Sequence, residues 1–169
     1  MAPFASPVGS SWRVDETYIR VRGGWKYPYR AIDKQGDTVD FLLSGHRDID
    51  AAKRFFTRAT NNQGAPEKIT LDGYVATHTA VDRLKKSAIL PVSVCVRTSK
   101  YLNNLIKQDH RRVKQRVYPM LGFKKFENAA ITISGIELIH KIRKGEFDSS
   151  AINQQGLRTQ KMWEAALAA

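Results

Sequence analysis

The chain has 169 residues, 42% hydrophobic and 26% charged, with a formal net charge of +12 at pH 7 and a pI near 10.0. That is enough chain for one domain with a real core, and an excess of positive charge that points to an acidic partner, nucleic acid before an anionic membrane surface. No apolar run approaches the roughly 18 residues of a spanning helix, the opening MAPFASPVGSS has neither the basic nor the apolar region of a secretory signal, and one cysteine excludes a disulfide framework or a thiolate zinc site.

In chain order, residues 1–11 are small and polar and read as a disordered lead-in. Residues 12–21, WRVDETYIRV, alternate and are β-branched and aromatic, which predicts a strand with Asp15 on the face of Thr17, Ile19 and Val21, and Trp12, Val14, Glu16 and Tyr18 on the other. Gly23-Gly24 is a hairpin turn. Residues 25–33 form a second strand in which Pro28, lacking a donor, implies a bulge or unpaired position. A third strand spans 38–44. The period then changes: 48–60 predicts a helix burying Ile49, Ala52, Phe55, Phe56 and Ala59. Residues 67–71 are a fourth strand ending at Asp72-Gly73. Residues 74–87 are a helix with Val75, Thr79 and Leu84 inward, and 91–96 a fifth, buried strand containing Cys95 as a small core residue.

Residues 101–118 are the most basic stretch. Leu102, Leu105, Ile106, Val113 and Val117 recur at helical spacing as one buried stripe, while Asn103, Lys107 and Arg111 share another face. From Arg97 to Lys125 nine Lys or Arg face one acid, Asp109, and a helix so charged on its open side suits a polyanion. Arg111, Arg112, Lys114 and Arg116 are the expected phosphate contacts. A last amphipathic helix spans 128–144, with Ala130, Ile133, Ile136, Leu138, Ile139 and Ile142 inward. Residues 146–169 read as a polar tail. Trp12, Trp25, Tyr29, Phe55 and Phe56 read as core. The expected architecture is α/β: a mixed five-stranded sheet, three antiparallel strands followed by alternating helix and strand, flanked by helices in a ribonuclease H-like order.

Asp15 and Asp72 are the candidate chemistry. Ligands gather at the carboxyl ends of parallel strands, and two carboxylates brought together need a cation or a shared proton. An oxygen-only pair suits Mg²⁺ or Mn²⁺ and phosphodiester chemistry, although for two isolated aspartates surface or capping roles are the more common reading.

WRVDETYIRVRGGWKYPYRAIDKQGDTVDFLLSGHRD, ITLDGY and KYLNNLIKQDHRRVKQRVYPMLGFKKFENAAITISGIELIHKIRKG together resemble the DDE transposases of bacterial insertion sequences, in particular the sixth insertion-sequence family. The resemblance spans about residues 12–145, which it marks as a ribonuclease H-like catalytic core. It implies DNA transposition by metal-dependent strand cleavage and strand transfer, with Asp15 and Asp72 as Mg²⁺ or Mn²⁺ ligands, Asn103 and Asn104 as motif residues near DNA, a homodimer, no small-molecule substrate, and a bacterial cytoplasmic, nucleoid-associated location. The third acid of the family falls within N-N-x-I-x-Q-D-H. Thirty-four residues after Asp72, that position is Lys107, whose ammonium repels a metal ion and is expected to pair with the aspartates instead. Asp109 lies about 200° further round the helix, and Glu16 falls on the wrong strand face. Family members also carry an N-terminal helix-turn-helix, for which the 14 residues before Asp15 leave no room. The expectation is an impaired transposase core. The alternative is an inactive nucleic-acid-binding or dimerising remnant.

Overall fold

A computed structural model describes residues 7–99 and 104–146. Six strands form one sheet: β1 (Ser11–Glu16), β2 (Ile19–Val21), β3 (Gly24–Ile32), β4 (Thr38–Ser44), β5 (Lys68–Leu71) and β6 (Cys95–Thr98). Four α-helices accompany it: α1 (Ile49–Gln63), α2 (Val75–Lys86), α3 (Asn104–Val117) and α4 (Phe126–Lys144), with a 3-10 turn at Tyr118–Met120.

The sixth strand arises because the predicted strand 12–21 is interrupted. β1 and β2 both pair with β3, antiparallel, through Glu16 opposite Tyr29 and Ile19 opposite Lys26. Between them Thr17 donates to the Pro28 carbonyl at 3.0 Å. The missing Pro28 N–H would point to that same edge, so the ladder breaks where its donor is absent. β4 covers the other edge of β3. β5 and β6 are parallel to β1, in the order β1-β5-β6.

Strand alternation feeds two cores. Trp12, Val14, Tyr29, Ala31, Ile69 and Leu71 pack with Phe55, Phe56 and Ala59 of α1 and Ala80, Val81 and Leu84 of α2. Ile19, Val21 and Leu43 pack with Val113 and Val117 of α3 and Ala129, Ile133 and Ile136 of α4. α1 starts on an Asp48 cap whose side chain accepts from Ala51 N at 2.7 Å.

Several expectations are corrected. Cys95 and most of β6 are exposed, because an edge strand has a neighbour on one side only. Trp25 is 49% exposed rather than core, Val75 and Leu105 face outward, and Thr77, Ala80 and Val81 fill the place expected for Val75 and Thr79. α3 buries Ile106, Asp109, His110, Val113 and Val117, and α4 buries Glu137 and His140 where Leu138 and Ile139 were expected. Leu102, Asn103 and Trp163 lie outside the described residues.

The polar burial has one cause. Arg30, 1% exposed and on the β3 face turned to α3 and α4, bonds Asp109 at 3.2 Å and pairs with Glu137. Lys144 reaches Asp109 at 3.2 Å, and Arg112 donates to His140 Nε2 at 2.6 Å. One buried cation thus fixes both basic helices to the sheet.

Candidate active site

β1 and β5 run parallel with Ser11 opposite Lys68, Trp12 opposite Ile69 and Arg13 opposite Thr70. Continuing that register by two residues sets Asp15 opposite Asp72, at the carboxyl ends of adjacent strands. One ligand oxygen from each of Asp15, Glu16 and Asp72 lies within 4.8 Å of the others. Glu16 joins the group despite its neighbouring position, because it is the last residue of β1 and its side chain lies at the strand end. Glu16 lies on the expected face, opposite Tyr29, yet its carboxylate still reaches the group from the strand end.

Asp15 is buried, accepts from Glu16 N at 3.1 Å, and has its pKa pushed up to about 7 by burial first, then by the Glu16 and Asp72 charges, with Lys107 opposing. Burial also raises Glu16, opposed by Arg47, whose Nε donates to Glu16 Oε1 at 2.7 Å. Arg47 stacks 3.8 Å above the Tyr74 ring, and the Tyr74 hydroxyl donates to the Arg47 carbonyl at 2.8 Å. Asp72 accepts from Tyr74 N at 3.0 Å, and His78 Nε2 lies 2.7 Å from the Asp72 carbonyl. Arg47 and Tyr74 carry no signal in the residue pattern that links them to Glu16; only the fold joins them.

α3 forms the opposite wall of a cleft of about 600 Å³ lined by Asp15, Glu16, Lys107, His110, Arg111, Lys114 and Tyr118. Lys107 thus lines the same cleft as Asp15 and Glu16, but among the described residues it makes no ion pair within 4.0 Å with Asp15 or Asp72. Its side is exposed, and it acts on Asp15 through space. His110 is 6% exposed with Nε2 3.9 Å from Asp15 Oδ2, and burial, then Arg30 and Lys114, lower its pKa to about 3. His110 is therefore neutral beside the carboxylates. Asp109 turns away to Arg30, as helix geometry requires.

The expected DNA contacts separate. Arg111 and Lys114 line the cleft, Asn104 and Arg116 are exposed, and Arg112 points to the other side of α3, to His140. Asn103 lies outside the described residues. No helix of the described residues is long and apolar enough to cross a membrane.

Residues 9–146 match the DDE domain family of IS240-type transposases. The chain is 41% identical over 133 residues to the transposase of insertion sequence-like element IS431mec of Staphylococcus aureus, covering 79% of this chain and 58% of that protein. The same values hold for the transposase of IS257 in transposon Tn4003 of Staphylococcus aureus. The chain thus spans under two thirds of the length of these relatives. Among solved structures it resembles the HTLV-2 integrase catalytic core in complex with magnesium, with TM-score 0.52, 13% identity, and coverage of 72% of this chain and 76% of that one. The BIV integrase catalytic core gives TM-score 0.55 at 14% identity, covering 77% and 83%. The fold is ribonuclease H-like, and the chain belongs to the DDE transposases of bacterial insertion sequences.

Proposed function

We propose that this domain is a transposase catalytic core that still binds DNA but whose divalent-metal site is weakened by Lys107, so that strand cleavage and strand transfer are impaired. The observation that carries the reading is the meeting of Asp15, Asp72 and Glu16 at the ends of β1 and β5, with Lys107 lining the cleft onto which Asp15 and Glu16 open. The donor set is all carboxylate oxygen, which fits Mg²⁺ or Mn²⁺. Asp15 and Asp72 are the ligands; Glu16 is held by Arg47 and contributes negative charge at the edge. A bound divalent ion would supply the positive charge that phosphodiester chemistry needs.

The chain's own residues account for the rest. Arg111 and Lys114 bring cations to the cleft for the DNA backbone, with Arg116 and Asn104 on the open side of α3. Neutral His110 packs against Asp15 without adding a charge. Arg112 is assigned to His140 and the helix interface, not to DNA. The partner is DNA in the bacterial cytoplasm, with a homodimer as the assembled form by analogy with the relatives.

Mn²⁺ calorimetry on the chain, Lys107→Glu and Asp72→Ala tests the site, beside cleavage of a labelled duplex. Expected are weak binding by the chain, affinity higher by about tenfold or more in Lys107→Glu, and none in Asp72→Ala. Mg²⁺-dependent cleavage by the unaltered chain, lost in both Asp15→Ala and Asp72→Ala, would overturn the impairment. Absence of binding even in Lys107→Glu would overturn the metal site.

A further inference from the structure

Next to the carboxylate cleft lies a second hollow of about 400 Å³, and its walls are unlike those of a solvated basic face. Tyr18 is 54% exposed, Trp25 49%, Tyr118 84% and Leu121 93%. Four large apolar side chains open to water in one place mark a contact surface. Tyr18 and Trp25 meet edge to face, centroids 4.9 Å apart. Arg20 Cζ sits 5.2 Å from the Trp25 ring and Lys114 Nζ 4.0 Å from the Tyr18 ring. The Tyr118 ring has no ring or cation partner among the described residues.

Two further observations say what covers this shelf. No residue lining the hollow is acidic, while Arg20 and Lys114 stand on its rim, in a chain of net charge +12. A second copy would bring like charge against it, whereas a polyanion is complementary. Tyr118 and Lys114 also line the carboxylate cleft, so the two hollows adjoin. A strand whose phosphate lies in the cleft has its adjoining nucleotide at the shelf.

The shelf is also built in advance. Arg22 N donates to the Phe123 carbonyl at 2.7 Å, and Phe123 N to the Arg20 carbonyl at 3.0 Å, tying the segment after Tyr118 to β2. Gly122 makes that approach possible: its φ is +96°, and a Cβ there would lie 3.2 Å from Arg20 O. Little ordering remains to be done on binding.

We propose that Tyr118, Tyr18 and Trp25 form a stacking site for an unpaired DNA base beside the phosphate held in the carboxylate cleft. A base within a duplex has both faces covered by its neighbours; only an unpaired one offers a face to a tyrosine or indole ring. Stacking of this kind tolerates any base, and Arg20 and Lys114 add cation–π contact and phosphate attraction. The site therefore favours opened or single-stranded DNA over intact duplex. This rests on the DNA-binding reading above.

The test uses the full chain and fluorescence anisotropy at fixed salt, with three probes: a duplex, a single strand of about twelve nucleotides, and an abasic strand of the same length. The unaltered chain is expected to bind the base-bearing strand about tenfold or more tighter than the abasic one. Trp25→Ala should bring that ratio close to one while keeping duplex affinity, and Tyr118→Ala should also bring the ratio close to one; Tyr118→Phe, which preserves the ring face, should keep the ratio. Equal affinity of the unaltered chain for both strands, with duplex binding intact, overturns the stacking site and leaves the DNA reading standing. Absence of binding to every probe overturns both. Sedimentation showing that Tyr118→Ala and Trp25→Ala dissociate a dimer, with the ratio unchanged, assigns the shelf to a second copy and overturns the proposal.

Discussion

Arg30→Ala should unfold this domain more readily than any surface change, and it should do so through charge rather than volume. Arg30 is 1% exposed and serves two buried acids, Asp109 at 3.2 Å and Glu137. Without the guanidinium, Asp109 keeps Lys144 at 3.2 Å and His140 at 3.7 Å, but Glu137 loses its ion-pair partner. Breaking a buried pair from one side costs about 3–5 kcal/mol, a large part of the roughly 5–15 kcal/mol available to a domain. Glu137 is already raised above its ordinary value by burial, against the pull of Arg30. Removing Arg30 raises it further, so the variant's deficit should shrink as pH falls and Glu137 takes up a proton. Urea unfolding followed by circular dichroism at pH 7 and pH 5 measures both effects. Arg30→Met with Asp109→Leu and Glu137→Leu should recover most of the loss. A deficit below about 1 kcal/mol for Arg30→Ala, or one that grows on acidification, would show that water already reaches these acids and refute the reasoning.

Other changes test the remaining supports. Asp48→Ala removes the side chain that accepts from Ala51 N at 2.7 Å and should cost about 1 kcal/mol by urea midpoint. Phe55→Ala empties a fully buried site stacked on Tyr29 and should cost about 3–5 kcal/mol in the same assay. Gly122→Ala forces a side chain into φ +96° against Arg20 O and should cost about 1–3 kcal/mol, with a changed Trp25 fluorescence as the turn leaves β2. His140, lowered to about 4 by burial against the opposing pull of Asp109, is neutral when folded and titrates near 6.5 when unfolded. The unfolded chain then binds more protons between those values, so stability is full above about pH 6.5 and falls on acidification, by roughly 1–2 kcal/mol at pH 5; thermal melting in His140→Gln should lose that dependence.

Much of this was legible in the sequence because it depends on period and punctuation. Alternation in residues 12–21 separates Asp15 from Trp12 and Val14, and the turn after Leu71 leaves Asp72 at a strand end. Those two facts suffice to make the aspartates candidates. What was not legible depends on partners far apart in the chain. Helical spacing assigned the inner faces of α3 and α4 to aliphatic residues. The structure gives part of them to Asp109, His110, Glu137 and His140, because Arg30, from a strand 79 residues before Asp109, lies between the helices and must be met by acids. Likewise Arg47 reaches Glu16 across 31 positions, a pairing that no local pattern announces. Cys95 misled for a different reason: a short apolar run reads as a buried strand, and nothing local says that the strand is last in its sheet.

The first two strands serve both hollows without a change of phase. β1 and β2 keep one register against β3, so Glu16 stays on the face of Trp12 and Val14, opposite Tyr29. At the end of β1 its side chain reaches Arg47 and the edge of the aspartate pair. Past the break, Tyr18 turns outward to Trp25 while Ile19 and Val21 enter the second core with Val113 and Val117. Tyr118, at the end of that same α3, then closes the gap between cleft and shelf. One stretch of chain thus brings a third carboxylate beside Asp15 and, two residues on, an open aromatic ring beside the neighbouring hollow. Changes to Lys107 and to Trp25 should therefore act on one hollow each, whereas a change to Lys114 or Tyr118, which line both, should act on the two together.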